Sequence, residues 1–299
     1  MRISDNQRYR ISNHRVNIAK SDNQHKMEQI STQKRINRVS DDPVALGRVI
    51  KYKSGVKDME QFQRNIEFTK GYIERSEASL SGINDALVRA KELSVSLASD
   101  TFAHDSRLAA SREVDQLIQG IVALANSQYG NRYVFGGFRS LTPPLSRDGV
   151  FTGDDGAIFL QTDYGGFQQI NLQARELFSA TNQEQAEGHQ GMIDTLLMLK
   201  DGLKSDDVPT IRKAMDGLDY QMSKTTDFIA KLGAIHNGVE GTLKRLEISA
   251  EITTEEISKL EDADTFRSIS DFKKTEDILQ STLMASNKLV QPSLLNFMQ

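Results

Sequence analysis

The chain has no cysteine, no tryptophan, only five prolines, and 7% aromatic residues in a length of 299. Without cysteine there is no disulfide framework, no thiolate metal site and no cysteine nucleophile. Scarce aromatics, with 38% hydrophobic and 26% charged residues, disfavour a compact enzyme core. They suit elongated helices, whose narrow seams bury less area per residue. No apolar run approaches the roughly 18 residues of a membrane span, so no membrane insertion is expected. The opening residues Met1-Arg2-Ile3-Ser4-Asp5-Asn6-Gln7 lack the apolar stretch of a conventional signal peptide. Taken alone, that places the chain in the cytoplasm.

The prolines stand at 43, 143, 144, 209 and 292 and leave two long tracts free of them, as long helices require. Each tract holds a heptad run. Apolar and small residues alternate at spacings of 3 and 4 from Tyr52 to Leu97, through Met59, Phe62, Ile66, Ile73, Leu80, Ile83 and Leu87. The same alternation runs from Leu218 to Leu260, through Met222, Thr225, Ile229, Leu232, His236, Val239, Leu243 and Leu246. Such spacing keeps one seam facing a partner helix. The runs cover 46 and 43 residues, and matched lengths predict that they pack on each other. The expected pairing is antiparallel, with facing residue numbers adding to about 314. His236, at a core heptad position, reads as a register-setting polar residue rather than a pH switch.

Ser40-Asp41-Asp42-Pro43 reads as a helix start, with Asp42 as the N-cap and Pro43 at the first helical position. A shorter helix follows a break near 99–104, capped by Asp105 or Ser106, with Leu108, Val114, Leu117, Ile121 and Leu124 on its buried face. Between 130 and 180 the chain turns glycine-rich and carries two adjacent prolines. Short runs at 133–135, 150–151, 157–160 and 169–172 predict strands, separated by turns at Gly136-Gly137, 153–156 and 164–166. Helix returns at 193–199 and after Pro209, and a last helix runs from about Thr265 to near Pro292.

The ends differ in charge. Residues 1–40 carry nine Lys/Arg against three Asp/Glu, and residues 251–299 carry five against nine. Opposite signs favour their association, although exposed pairs contribute only tenths of a kcal/mol each. Residues 1–40 are sparsely apolar (Ile3, Ile11, Val16, Ile18, Met27, Ile30), a seam too weak to hold a helix alone, and such a segment orders against a partner surface. The resulting division is 1–42 N-terminal assembly segment, 43–129 helical arm, 130–182 β-rich outer insertion, 183–264 second helical arm and 265–299 C-terminal assembly helix. The fold class is mainly α: a long antiparallel helical bundle or coiled coil with a small β-rich insertion and terminal helices that pair on assembly.

Nothing in the sequence signals catalysis or a cofactor. His14, His25, His104 and His189 lack ligand spacing for a metal. The 152–156 loop lacks the alternating acids of a calcium site, and no Gly-Lys-Ser/Thr follows the glycine pairs at 136–137 and 165–166. There is no nucleophile elbow. The basic N-terminus is not interleaved with aromatics, and the rest of the chain is acidic, so no nucleic-acid partner is expected.

Three segments together resemble the flagellin superfamily, and within it lean toward the hook–filament junction members. Residues 30–43, Ile-Ser-Thr-Gln-Lys-Arg-Ile-Asn-Arg-Val-Ser-Asp-Asp-Pro, are similar to the family's S-x-G-K-R-[IV]-N-x-x-S-D-D-P signature, with Gln33 where glycine is usual. Asn131-Arg132-Tyr133-Val134-Phe135-Gly136-Gly137-Phe138, with Thr142-Pro143-Pro144 and the run from Phe151-Thr152-Gly153-Asp154 to Glu176-Leu177-Phe178, resembles the lead-in to the outer domain. The tail from Lys288 to Met298 is the third.

The resemblance implies a non-enzymatic structural subunit that self-associates into a ring between another hook-associated protein and flagellin. It implies a coiled coil of the two terminal helices. It also implies export through the flagellum's own secretion apparatus, which needs no conventional signal peptide and so moves the expected location outside the cell. An export chaperone is expected at the C-terminal segment. Subunit packing is assigned to Ile3, Ile11, Ile18, Arg35, Asn37, Asp41, Asp42, Leu279, Leu283, Val290, Leu294, Leu295 and Phe297. The alternatives are a flagellin, which would grow long filaments by itself, and a cytoplasmic coiled-coil signalling or nucleic-acid-associated protein.

Overall fold

The computed structural model describes residues 2–99, 104–146 and 148–290. Eight helices and four short strands occur among them, in the order α1 (Arg2–Thr32), α2 (Pro43–Leu97), α3 (His104–Ala125), β1 (Gln128–Tyr129), β2 (Arg132–Tyr133), β3 (Phe159–Asp163), β4 (Gly166–Gln169), α4 (Ala174–Phe178), α5 (Asn182–Ala186), α6 (Met192–Ser205), α7 (Val208–Glu261) and α8 (Thr265–Val290). They form two compact units, one of Met1–Asp58 with Ile248–Gln299, the other of Met59–Glu247.

In the second unit the α2 seam is buried at every heptad position from Met59 to Leu97. Ile66, Ile73, Leu80, Ile83 and Leu87 are fully enclosed, and each such side chain stabilises the fold by about 1.5–3 kcal/mol. Thr69 and Ser76 sit in the same seam. Their hydroxyls donate to the carbonyls of Asn65 and Tyr72 at 2.8 and 2.9 Å, which pairs both within an apolar wall.

The expected seam of α7 is correct at Leu218, Thr225, Leu232, Val239 and Leu246 and displaced between them. Met222, Ile229, His236 and Leu243 are only half-buried. Gln221 and Phe228 are buried instead, and Ile235 packs on the core. The reason is that α7 has more than one neighbour here. Lys91 of α2 pairs with Asp219, a side chain at Gly217 would run into Thr195 of α6, and Gln221 Nε2 donates to Gln190 O at 2.7 Å. A helix with two neighbours buries a wider stripe than a two-stranded seam.

The α2–α7 pairing is antiparallel in the expected register. The numbers of Lys91 and Asp219 add to 310. Within the first unit, those of Lys53 and Glu261 add to 314.

Helix α3 buries Val114 and Ile121 as expected, together with Arg107, Ser111, Ile118 and Ala125; the expected Leu108, Leu117 and Leu124 are half-buried on its flank. Arg107 is the unexpected member. Its guanidinium donates to Leu97 O at 3.1 Å and Ser99 O at 2.8 Å and pairs with Asp206. It thereby joins the end of α2, the start of α3 and the C-cap of α6.

The four strands fall partly elsewhere than expected. Val134 and Phe135 are not in a strand: they are consecutive buried residues, with Val134 O accepting from Tyr72 Oη at 2.6 Å and Phe135 edge-on to Phe178 at 5.8 Å. A strand would send one of the two outward. Residues 150–151 contribute a single bridge, Leu145 with Phe151. The hairpin β3–β4 does form, antiparallel with Phe159 opposite Gln169 and Gln161 opposite Phe167. It starts two residues late and turns at Gly165, whose φ of 76° suits glycine.

The short α5 is held on α7 by one carboxylate. Glu184 accepts from Lys224 Nζ at 2.6 Å, Tyr220 Oη at 2.7 Å and Thr181 N at 2.7 Å, the last as half of a capping box.

Candidate assembly surface

The first unit is built on two helix pairs joined by the segment that carries the 30–43 signature. Helix α1 ends at Thr32, and Gln33 follows with φ 57°, the left-handed conformation that closes many helices and favours glycine. That turn lets the chain meet the α7–α8 junction. Ala263 N donates to Gln33 O at 2.9 Å and Arg35 N to Glu261 O at 2.7 Å. Arg35 Nη2 adds a bond to Leu260 O at 2.8 Å.

Behind this bridge lies Glu261, its side chain 8% exposed, with Lys34 Nζ at 2.8 Å and Lys53 Nζ at 2.6 Å. Burial alone would raise its pKa, but the hydrogen bonds from the two lysines outweigh it and the pKa is lowered.

The remaining signature residues are engaged within the unit. Asp41 Oδ2 accepts from the backbone N–H of Asn37 and Arg38, both at 2.9 Å. Those bonds overcome the effect of burial and lower its pKa. Asn37 Nδ2 donates to Lys34 O at 3.1 Å. Asp42 caps α2, accepting from Ala45 N at 2.9 Å, and lies 3.5 Å from Arg35. Ile36 is the apolar plug, 2% exposed. Arg35, Asn37, Asp41 and Asp42 therefore come together in one loop, and their polar groups are spent on shaping it.

Helices α1 and α8 lie antiparallel. Ser12 Oγ donates to Ser286 Oγ at 2.7 Å, Asn23 Nδ2 to Thr275 Oγ1 at 3.4 Å, and Lys26 pairs with Asp271 at 3.4 Å. Thus α8 is the partner that the weak seam of residues 1–40 requires. The face turned toward it keeps Val16 of the expected apolar set and leaves Ile11, Ile18 and Met27 exposed. Ser12 and Ala19 are buried on α1 and Ser268 on α8, in line with half-buried Val16, Asn23, Phe272, Thr275, Leu279 and Thr282. A heptad runs along α8 as well, but small polar residues fill much of it, and a search for apolar periodicity passes over them.

The large apolar residues flank this thin seam and face outward. Ile11 and Ile18 are 47% and 48% exposed, Leu283 43%, and Phe266 89%. The expectations at the side chains of Ile3 and Val290, and at Leu294, Leu295 and Phe297, lie outside the described residues. Among the described residues no group of His, Asp or Glu comes together to hold a metal ion, and no helix is long and apolar enough to cross a membrane.

Both terminal helical regions are matched in comparisons with known proteins. The bacterial flagellin N-terminal helical region matches residues 3–139 and the bacterial flagellin C-terminal helical region matches residues 215–298. The chain is 25% identical over 278 residues to the flagellar filament 31.3 kDa core protein of Treponema maltophilum, covering 91% of each. It is 26% identical over 276 residues to flagellar hook-associated protein 3 of Escherichia coli, covering 86% of this chain and 87% of that one. Among solved structures, flagellar hook-associated protein 3 of Legionella pneumophila superimposes with a TM-score of 0.63 at 15% identity, over 71% of this chain and 98% of that one. With both terminal regions matched in order, and together spanning more than half of its length, the chain belongs to the bacterial flagellin family.

Proposed function

We propose that the chain is a non-enzymatic structural subunit of the bacterial flagellum, an adaptor at the junction between a hook-associated ring and the flagellin filament. One observation carries this reading. The α1–α8 hairpin buries a thin, small-residue seam and leaves Phe266, Met27, Met284, Ile11 and Ile18 outside. Large apolar side chains left exposed along one helix pair point to a surface that a partner covers. Ile11, Ile18 and Leu283 make subunit contacts, while Arg35, Asn37, Asp41 and Asp42 hold the loop that orients the hairpin. In this reading residues 1–42 and 265–299 are the assembly segments, and 130–182 is a β-rich insertion outside them in sequence. The protein leaves the cell unfolded through the flagellar export apparatus, with a chaperone on its C-terminal segment. The hook-associated likenesses in sequence and fold support the junction role.

A second reading, a filament subunit, is favoured by the likeness to the Treponema core protein along nine-tenths of both chains. Deleting the gene separates the two. Under the junction reading, cells keep their hooks and shed filament protein into the medium. Normal filaments on the deletion strain would rule that role out, and hooks without filament protein in the medium would point to the filament subunit.

A further inference from the structure

Within the second unit the β3–β4 hairpin is tied to α2. Asn65 Nδ2 donates to Gln161 O at 2.7 Å, and Ile170 N donates to Ile158 O at 3.0 Å just outside the paired strands. Where the two elements meet lies a cavity of about 440 Å³, with Phe68, Ile158, Leu160 and Ile170 as its apolar walls. That size falls in the range of small-molecule sites, about 300–1,000 Å³.

The polar side chains of the lining divide in two. Tyr72 Oη donates to Val134 O, and Asn65 accepts from Gln61 Nε2 at 3.0 Å besides its bond to Gln161, so both are already engaged. Arg132 and Ser140 also line the cavity, and neither side chain has a hydrogen-bond or ionic partner among the described residues. Ser140 is 5% exposed, and a hydroxyl so enclosed calls for a partner. Burial pushes the Tyr72 pKa up while the charge of Arg132 works against it, so the guanidinium lies close to the inner wall.

We propose that this cavity binds an amphipathic carboxylate. The apolar body of the ligand lies against Phe68, Ile158, Leu160 and Ile170, and its carboxylate accepts from the Arg132 guanidinium and the Ser140 hydroxyl. Both free groups can donate, so the ligand must bring acceptors, and a guanidinium matches a carboxylate two bonds at a time. A neutral apolar molecule would leave both donors unpaired, and acetate would leave the apolar walls wet. The site lies wholly in the second unit and needs no second copy of the chain. Bound there, the ligand would brace β2 and the β3–β4 hairpin against α2.

The chain has no tryptophan, so Phe68→Trp in the full-length protein places a single fluorescent reporter in the cavity wall. Decanoate, kept below its micellar concentration, is expected to change the indole emission saturably, with acetate and decan-1-ol about tenfold weaker or worse. Arg132→Gln in the same background should weaken decanoate by about tenfold and bring it level with decan-1-ol. Arg15→Gln, on α1, should change nothing. Circular dichroism checks that each variant keeps its helicity, and calorimetric titration of wild type against Arg132→Gln alone repeats the comparison with the wall unaltered. Emission that ignores decanoate would overturn the site. Equal binding of decanoate and decan-1-ol, or full decanoate affinity in Arg132→Gln by either method, would overturn recognition of the carboxylate. Weakening by Arg15→Gln would move the binding to α1 and overturn the assignment.

Discussion

Lys53 Nζ and Glu261 Oε2 lie 2.6 Å apart, joining α2 to the last turn of α7 beside the loop that carries the signature. Lys34 closes the cluster from the third side. Glu261→Gln removes the charge that both lysines address. The lysines are more than 40% exposed and can turn to water, so the cost is about 1–3 kcal/mol rather than that of a stranded buried ion. Hydrogen exchange should show the loss at residues 33–37 and 261–264 first. Unchanged protection there would mean that the cluster is ornamental.

Acid should probe α5. Burial raises the Glu184 pKa, but hydrogen bonds from Lys224, Tyr220 and Thr181 more than reverse this and bring it to about 2 from 4.5. A depressed carboxylate contributes stability that is complete above its unfolded pKa and fades as pH falls toward the folded one. The window is therefore about pH 4.5 down to 2, and the contribution is about 2–4 kcal/mol. Glu184→Gln should flatten the acid limb of the stability curve in that window and leave the slope above pH 5 unchanged. The same contact pushes the Tyr220 pKa up to about 12, so its phenolate absorbance should appear late in a base titration and earlier in the variant.

Gln33 occupies a left-handed position, φ 57°. Such a residue costs about 1–2 kcal/mol that glycine does not, while glycine loses about 0.4–1 kcal/mol to unfolded-chain entropy. Gln33→Gly should therefore stabilise the first unit by about 0.5–1 kcal/mol in denaturant unfolding. A loss of stability would show that the Gln33 side chain contributes something the backbone geometry does not reveal.

Leu232 is fully enclosed on α7, whereas Leu243 is half-buried. Leu232→Ala should cost about 3–5 kcal/mol through the cavity it leaves, and Leu243→Ala about 1–2 kcal/mol. Equal costs would place the seam of α7 where simple heptad counting puts it.

That pair of residues also marks how far the sequence could be read. The start of α2 was legible in local chemistry, Asp42 before Pro43. So was the start of α8 near Thr265, though not its cap Asp264, whose side chain accepts from Arg267 N at 3.0 Å. Helix α3 begins at His104, ahead of the expected caps Asp105 and Ser106. The antiparallel register was legible too, because two heptad runs of matched length allow few pairings. The side of α7 that turns inward was not, since it depends on α6 and on the backbone carbonyl of Gln190, far off in sequence. Arg107 was invisible for the same reason: its partners are carbonyls at the end of α2 and an aspartate on another helix. In the candidate site, Asp41, Asp42, Arg35 and Asn37 were found through their motif, and their engagement within the chain needed the fold. The Ser12–Ser286 and Asn23–Thr275 contacts were missed because polar residues at heptad spacing look like a solvated face.

Location along the flagellum tests the central claim most directly. An epitope placed in the 145–150 loop, away from α1 and α8 in sequence, can be labelled with gold and viewed by electron microscopy on intact cells. The account predicts one band of label per flagellum, where the hook meets the filament. Label distributed along the whole filament would contradict it and make the chain a filament subunit.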